Sequence, residues 1–307
     1  MRPPRIPVFS ARARRAKLAR AAATLKDADF LHVRAAEEAL DRLESVLRDF
    51  PLALLTGPAA PYLADRLTPA AGVGRAVLSC ETEAMPGSGV AASPEALPFA
   101  DAGFDAVVSL MSLHATDDLP RALSEAKRVL RPDGLFLAVF PGERTLHELR
   151  AALRAGEAAA TGGLSPRVSP MVAVKDGGAL LQAAGFALPV ADVATVRVRY
   201  AEPLRLLADL RAMGETNAAC AAPRGAMRRD VLAASLAAYE RTRDEGKVPA
   251  TFDLLALTGW SPHESQPKPL EPGSGRTPLA DAVRRGHRFG VSSEGTMKLR
   301  ASGLPGL

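Results

Sequence analysis

Apolar and polar positions alternate in blocks along this chain, and the blocks predict its elements. Phe50-Pro-Leu-Ala-Leu-Leu-Thr-Gly57 is a short apolar run closed by a turn residue and predicts a buried strand. Pro58 to Leu67 predicts a helix, since proline is tolerated in a first helical turn. Arg75 to Cys80 predicts a second strand, and a loop follows through Met85-Pro-Gly-Ser-Gly89. Phe104 to Met111 predicts the third strand. Between Leu119 and Leu130, apolar residues fall at 119, 122, 123, 126, 129 and 130, the spacing of one helix face. Arg131-Pro-Asp-Gly134 predicts the stop of that helix, and Leu135 to Phe140 a fourth strand. Strands alternating with helices imply right-handed crossovers and a parallel sheet, an α/β fold. Ligands then meet the carboxyl ends of the strands, here Thr56–Pro58, Cys80–Glu81 and Ser109–His114.

The flanks divide the chain into four parts. Residues 1–49 predict a helical cap: two helices over 11–48, with Leu40, Leu43 and Leu47 at helical spacing. Residues 50–144 form the Rossmann-like core. Residues 145–260 hold helices at 145–160, 175–184, 203–213 and 229–244, a proline-bearing loop at 164–170, and strands at 193–200 and 251–259. Residues 261–307 are rich in proline, glycine and charge and predict a disordered tail.

Composition changes this picture mostly by exclusion. Two cysteines, Cys80 and Cys220, cannot build a disulfide scaffold or a Cys-rich zinc site. Cys80 reads as a small buried hydrophobe. Five histidines, none in a metal-ligand spacing, give no metal centre, and no run of about 18 apolar residues predicts a membrane span. The net charge is +5, with 39 basic residues of which 32 are arginine. One tryptophan and three tyrosines supply few stacking platforms, so no nucleic-acid partner is expected. From Met1 to Lys26 there are eight basic residues and no acid. Mitochondrial presequences share that composition. A solvated basic first helix running on into the fold is the reading preferred here, with a cytoplasmic, bacterial-type location.

Single residues at the strand ends carry candidate chemistry. The turn after the first strand is where nucleotide-binding folds keep a glycine loop, whose amides approach a ligand closely. Only Gly57 is present; Pro58 and Pro61 remove donors, and Ala59 and Ala60 add side chains. A tight strand-to-helix turn explains Gly57-Pro58 equally well. His114 ends the third strand, as an acid or base at the pocket mouth or as a histidine tied to a loop. Asp117 and Asp118 are expected to cap the helix that starts at Leu119. Glu215 and Asn217 form a polar loop or a capped helix start, and His263 and Glu264 touch substrate or tie the last strand to the sheet.

The run Ala96-Leu-Pro-Phe-Ala-Asp-Ala-Gly-Phe-Asp-Ala-Val-Val-Ser109, then Ser112-Leu-His114 and Arg128-Val-Leu-Arg-Pro-Asp-Gly134, resembles the middle of a class I S-adenosylmethionine-dependent methyltransferase. Further motifs follow in order: Glu148-Leu-Arg150, Leu164 to Pro170, Met213-Gly-Glu-Thr-Asn217, Val248 to Phe252 and Gly259 to Gln266. Together they resemble the branch of the complex I assembly factor that hydroxylates an arginine. The biotin-pathway methyltransferases of malonyl carrier protein are similar at a greater distance. The resemblance implies a doubly wound class I methyltransferase sheet with a helical lid, a protein partner, and substrate contacts at Arg167, Glu215, Asn217, His263 and Glu264. It implies S-adenosylmethionine at Gly57, Pro58, Glu81, Ser93, Pro94, Glu95, Ser109 and Leu110.

This chain departs from the family at the cofactor. The acid before the glycine loop falls on Leu55, the second and third loop glycines on Ala59 and Pro61, and the adenine-binding acid on Ser93. The ribose-binding acid falls near Ser79 or Glu81. Charge-assisted hydrogen bonds are worth roughly 1.5–3 kcal/mol each. Losing two therefore costs on the order of a thousandfold in affinity. Weak or absent S-adenosylmethionine binding is expected. Three functions stand at this point: a protein-directed hydroxylase, an active methyltransferase, and a binding module that keeps the fold without the chemistry.

Overall fold

The computed structural model describes residues 6–87, 89–223 and 225–267. Most of the expected tail, 268–307, lies outside them. Seven strands form one sheet: β1 (Phe50–Thr56), β2 (Val73–Cys80), β3 (Val90–Ala91), β4 (Phe104–Leu110), β5 (Leu130–Pro141), β6 (Ala187–Tyr200) and β7 (Val248–Trp260). Their order is β3-β2-β1-β4-β5-β7-β6. The pairs among β1 to β5 are all parallel, and β7 runs antiparallel to both its neighbours. The strands expected after residue 145 thus complete the same sheet as the core.

Eight helices flank it: α1 (Ala11–Ala21), α2 (Phe30–Ser45), α3 (Ala60–Ala64), α4 (Leu119–Val129), α5 (His147–Thr161), α6 (Val174–Ala183), α7 (Pro203–Ala212) and α8 (Arg229–Glu240). Alternate residues of each central strand enter opposite cores, as the period of two requires. Leu135, Leu137 and Val139 of β5 pack with α2, α5 and α7, while Phe136, Ala138 and Phe140 pack with α4 and α6. The α5–α8 pair is unusually close: a Cβ on Gly156 would lie 2.3 Å from the Ser235 amide nitrogen.

Two local expectations change. The helix after β1 shrinks to five residues, Ala60–Ala64. Prolines at 58 and 61 leave few amides to propagate it. The stop at 131–134 is not a free turn. It is drawn into the start of β5 as a bulge, where the register jumps from Phe104–Leu130 to Ala106–Leu135. Asp133 absorbs the bend at φ 61.

Candidate functional site

The carboxyl ends of β1, β2 and β4 are covered by the N-terminal helices. Most of the first helix is solvated, as expected, but one stripe of it is buried. Arg14, Leu18 and Ala21 form the buried stripe of α1, and Arg14 is only 4% exposed. Its guanidinium donates to both Glu215 carboxylate oxygens, at 3.0 and 3.1 Å. It also donates to the carbonyls of Met111 at 2.8 Å and Gly214 at 3.3 Å. His114 approaches the same carboxylate, with Nε2 at 2.7 Å from Oε2. An ionised carboxylate only accepts, so His114 Nε2 carries a proton.

Burial alone would raise the Glu215 pKa, but the charges of Arg14 and His114 outweigh it and hold the carboxyl well below its ordinary range. Burial likewise opposes the charge on Arg14; Glu215 and Glu81 reverse that and leave the guanidinium pKa raised. His32, on the buried stripe of α2, sits in the same field. Neither of its ring nitrogens has a hydrogen-bond partner, and burial brings its pKa down to about 4. His32 and Arg14 escaped the sequence reading. A histidine on an otherwise apolar helix stripe (Leu31, Ala35, Ala36, Ala39, Leu43) was a readable signal for the first. Nothing local marked Arg14 among its basic neighbours.

Around this buried group the remaining space is small. A cavity of about 40 Å³ is lined by Arg14, Arg15, Glu81, Ser93, Pro94 and Glu95, among others. Ligand pockets run roughly 300–1,000 Å³. The acceptors there are already engaged: Glu81 accepts the Ser112 hydroxyl at 2.8 Å, and Glu95 accepts the Asp118 amide at 2.9 Å. Ser93 Oγ accepts the Glu95 amide at 3.3 Å. At the β1 turn, Gly57 adopts φ 95, and a Cβ there would lie 2.1 Å from the Leu110 carbonyl oxygen. The turn therefore packs against the end of β4 rather than facing an open cradle. Leu55, Ala59 and Ala60 are fully buried.

Beyond Glu215 the surface opens. A cleft of about 370 Å³ runs past Glu215, Thr216, Asn217, Lys17, Leu146, Leu149 and Arg167. Asn217 ties the 214–219 loop to the 164–170 loop: Oδ1 accepts from Ser169 Oγ at 2.9 Å, and Nδ2 donates to the Pro166 carbonyl at 2.8 Å. On the far side of that loop lies a second cleft of about 460 Å³, with Arg150 and Arg154 on its α5 wall. No group of three or more His, Cys, Asp or Glu placed to hold a metal occurs among the described residues.

Residues 55–138 match a family model described as a methyltransferase domain. The YcgJ protein of Bacillus subtilis shares the fold, with a TM-score of 0.50 and 16% identity over 74% of this chain and 99% of that one. A malonyl-[acyl-carrier protein] O-methyltransferase from Methylovorus sp. is 38% identical over 56% of each chain. The zebrafish (Danio rerio) protein named arginine-hydroxylase NDUFAF5, mitochondrial, is 38% identical over 270 residues, 84% of this chain and 83% of that one. The chain belongs to the NDUFAF5 family. The strand order and the single antiparallel strand give it the class I methyltransferase architecture.

In this NDUFAF5-family chain the expected site residues part into groups. Glu81, Ser93, Pro94 and Glu95 meet at the small cavity. Pro58 lies apart from them, on a cavity with Lys26, Tyr62 and Asp65. Ser109 and Leu110 are buried, and Ser109 Oγ has no partner. His114 and Glu215 meet, while Asn217 and Arg167 share the 370 Å³ cleft. Glu215 is an ion-pair member rather than a helix cap. His263 and Glu264 do not join this group. They follow β7, whose end pairs Trp260 with Leu135 near the beginning of β5, while the Glu215 group sits at the opposite end of the sheet. His263 is exposed and, among the described residues, bonds to its neighbour Ser265. Asp118 caps α4 as expected, through Arg121 N at 3.1 Å. Asp117 does not: its carboxylate accepts the amides of Val8 and Phe9, at 2.6 and 3.0 Å. Cys80 is buried, and burial with Glu81 beside it pushes its thiol up to about 12.

Proposed function

We propose that this protein acts on an arginine of a protein partner during assembly of respiratory complex I, as an arginine hydroxylase with weak or absent S-adenosylmethionine binding. The observation that carries the reading is the similarity to an arginine-hydroxylase across 84% of the chain. The site supports it through space for a protein side chain: a cleft of about 370 Å³ opens past Thr216, Asn217 and Arg167, beside the Glu215 that the chain's own Arg14 already occupies.

The cofactor half of the reading rests on space and charge. The cavity at Glu81, Ser93 and Glu95 is only about 40 Å³, a separate cavity of about 330 Å³ beside Pro58, Pro61 and Tyr62 offers proline where the family has glycine, and a leucine stands where the family's first acid falls. A cytoplasmic place of action belongs to the same proposal: Arg14 makes α1 part of the folded body, which argues against residues 10–21 acting as a removed leader. No described helix is long and apolar enough to cross a membrane.

Mass spectrometry of the complex I subunits, from cells with and without this protein, tests the activity. One arginine-containing peptide is expected to lose the mass of a single oxygen atom when the protein is absent. Identical masses in both would remove the hydroxylase reading. Calorimetric titration tests the cofactor: a micromolar dissociation constant for S-adenosylmethionine would establish the methyltransferase alternative instead. A second reading, a non-catalytic assembly module, is favoured by the chain's own arginine filling the strand ends. It predicts unchanged arginine masses together with loss of assembled complex.

A further inference from the structure

The 460 Å³ cleft lies outside the strand-end group and has its own character. One wall is α5, which contributes Arg150, Leu153 and Arg154; the other is the loop from Leu164 to Pro170. Among the described residues no carboxylate lines it. Glu157 neutralises Arg167 from the side, at 2.5 Å. Arg150 reaches only the carbonyls of Glu143 and Ser169, both at 3.4 Å, and Arg154 is exposed with no ion-pair partner among the described residues. Beside these charges stand apolar surfaces: Leu153 at the floor, Val168 on the wall, and Leu164, 61% exposed, at the mouth.

Free arginines next to an exposed leucine call for a ligand with negative charge and apolar side chains together. Guanidinium groups bind carboxylates through paired hydrogen bonds. Among the described residues no aromatic lines the cleft, so nucleotide bases find no stacking surface there. The loop that forms its outer wall is also a wall of the 370 Å³ cleft, which shares Leu153, Arg167, Val168 and Ser169 with it. A chain segment seated in the outer cleft therefore presents its neighbouring residues to the inner one, beside Glu215 and Asn217.

We infer that the α5/164–170 cleft is a docking site for an acidic, leucine-bearing segment of the protein partner, set against Arg150, Arg154 and Leu164. This rests on the reading that the partner is a protein.

The test uses the full chain and fluorescence anisotropy with a labelled peptide of alternating aspartate and leucine, about 12 residues long. Binding is expected to weaken as salt rises. It should fall by about tenfold or more in the double variant R150E/R154E and by about threefold in L164A, while circular dichroism stays unchanged. Should the double variant misfold, R154Q alone is read, with about threefold loss expected. Equal affinity in a folded charge variant would overturn the inference. So would equal binding of a lysine–leucine peptide, or displacement of the peptide by an equimolar oligothymidine, which would point to nucleic acid. The arginine mass in cells carrying R150E/R154E separates the two proposals. Charge-dependent peptide binding with no arginine modification even by the wild type leaves the docking site standing and removes the hydroxylase. A modified arginine with charge-independent peptide binding does the reverse.

Discussion

Two ends of the same carboxylate face different worlds. On one side of Glu215, Arg14 and His114 fill the end of β4 and leave about 40 Å³ beside Glu81 and Ser93, with a separate cavity of about 330 Å³ at Pro58 and Tyr62. On the other, two clefts of about 370 and 460 Å³ open on either side of one loop. The sealed side is polar and buried, so each of its groups is either paired or costly. The open side is lined by long side chains with solvent at hand. A methyltransferase architecture here leaves open clefts on one side while its own first helix occupies the place beside the strand ends. Polar residues near a fold's customary ligand site are thus not evidence of the ligand until the space between them is measured.

The sharpest way to break that contrast is Arg14→Ala. It leaves Glu215 buried with only His114, and removing one member of a buried pair costs about 3–5 kcal/mol. Urea denaturation should show that loss, while Arg15→Ala, an exposed neighbour, stays within about 0.5 kcal/mol. Equal effects would mean the strand ends are not sealed by this residue.

His32→Leu comes next. The His32 pKa is 6.5 in an unfolded chain and about 4 in the folded one, so between those values only the unfolded state takes up the proton. Stability should therefore be full above pH 6.5 and drop by about 3 kcal/mol as pH falls to 4. The leucine variant should lose this slope. Its acid limb below about pH 4.5 should remain, because Glu215 has a depressed pKa and its contribution is lost progressively as pH falls from the unfolded value of 4.5 toward the folded one. An unchanged slope between pH 6.5 and 4 would show that His32 is hydrated.

Asn217→Ala acts on the wall between the two clefts. Losing its bonds to Ser169, Pro166 and Ala219 should cost about 1–2 kcal/mol and speed proteolysis within 164–170. The smallest effect belongs to the open side: Arg154→Gln should change stability by less than about 0.5 kcal/mol. A larger loss would mean that the basic cleft serves the fold rather than a partner.

The sheet was legible because buried strands need continuous apolar runs, and Phe104–Leu110 or Leu135–Phe140 have no competing pattern. The degraded turn at Gly57 was legible too, since proline and alanine side chains speak for themselves. The sealing of the strand ends was not. Arg14 meets Met111 and Glu215, 97 and 201 residues away, and no local spacing distinguishes it from Arg12 or Arg15. His263 and Glu264 misled for the opposite reason. Their chemistry is suggestive, but β7 runs antiparallel and delivers them to the wrong end of the sheet.

The anchoring of α1 has a consequence for how the chain is made. Asp117 holds the amides of Val8 and Phe9, the Ala218 carbonyl receives Ser10, the Val8 carbonyl receives Cys220, and Arg14 waits for Glu215. Helix α1 thus finds its seat only after some two hundred more residues have followed it. At about 5–20 residues per second that interval is on the order of 10–40 s. Through all of it the nascent chain carries a basic helix whose Arg14, Leu18 and Ala21 stripe is undocked.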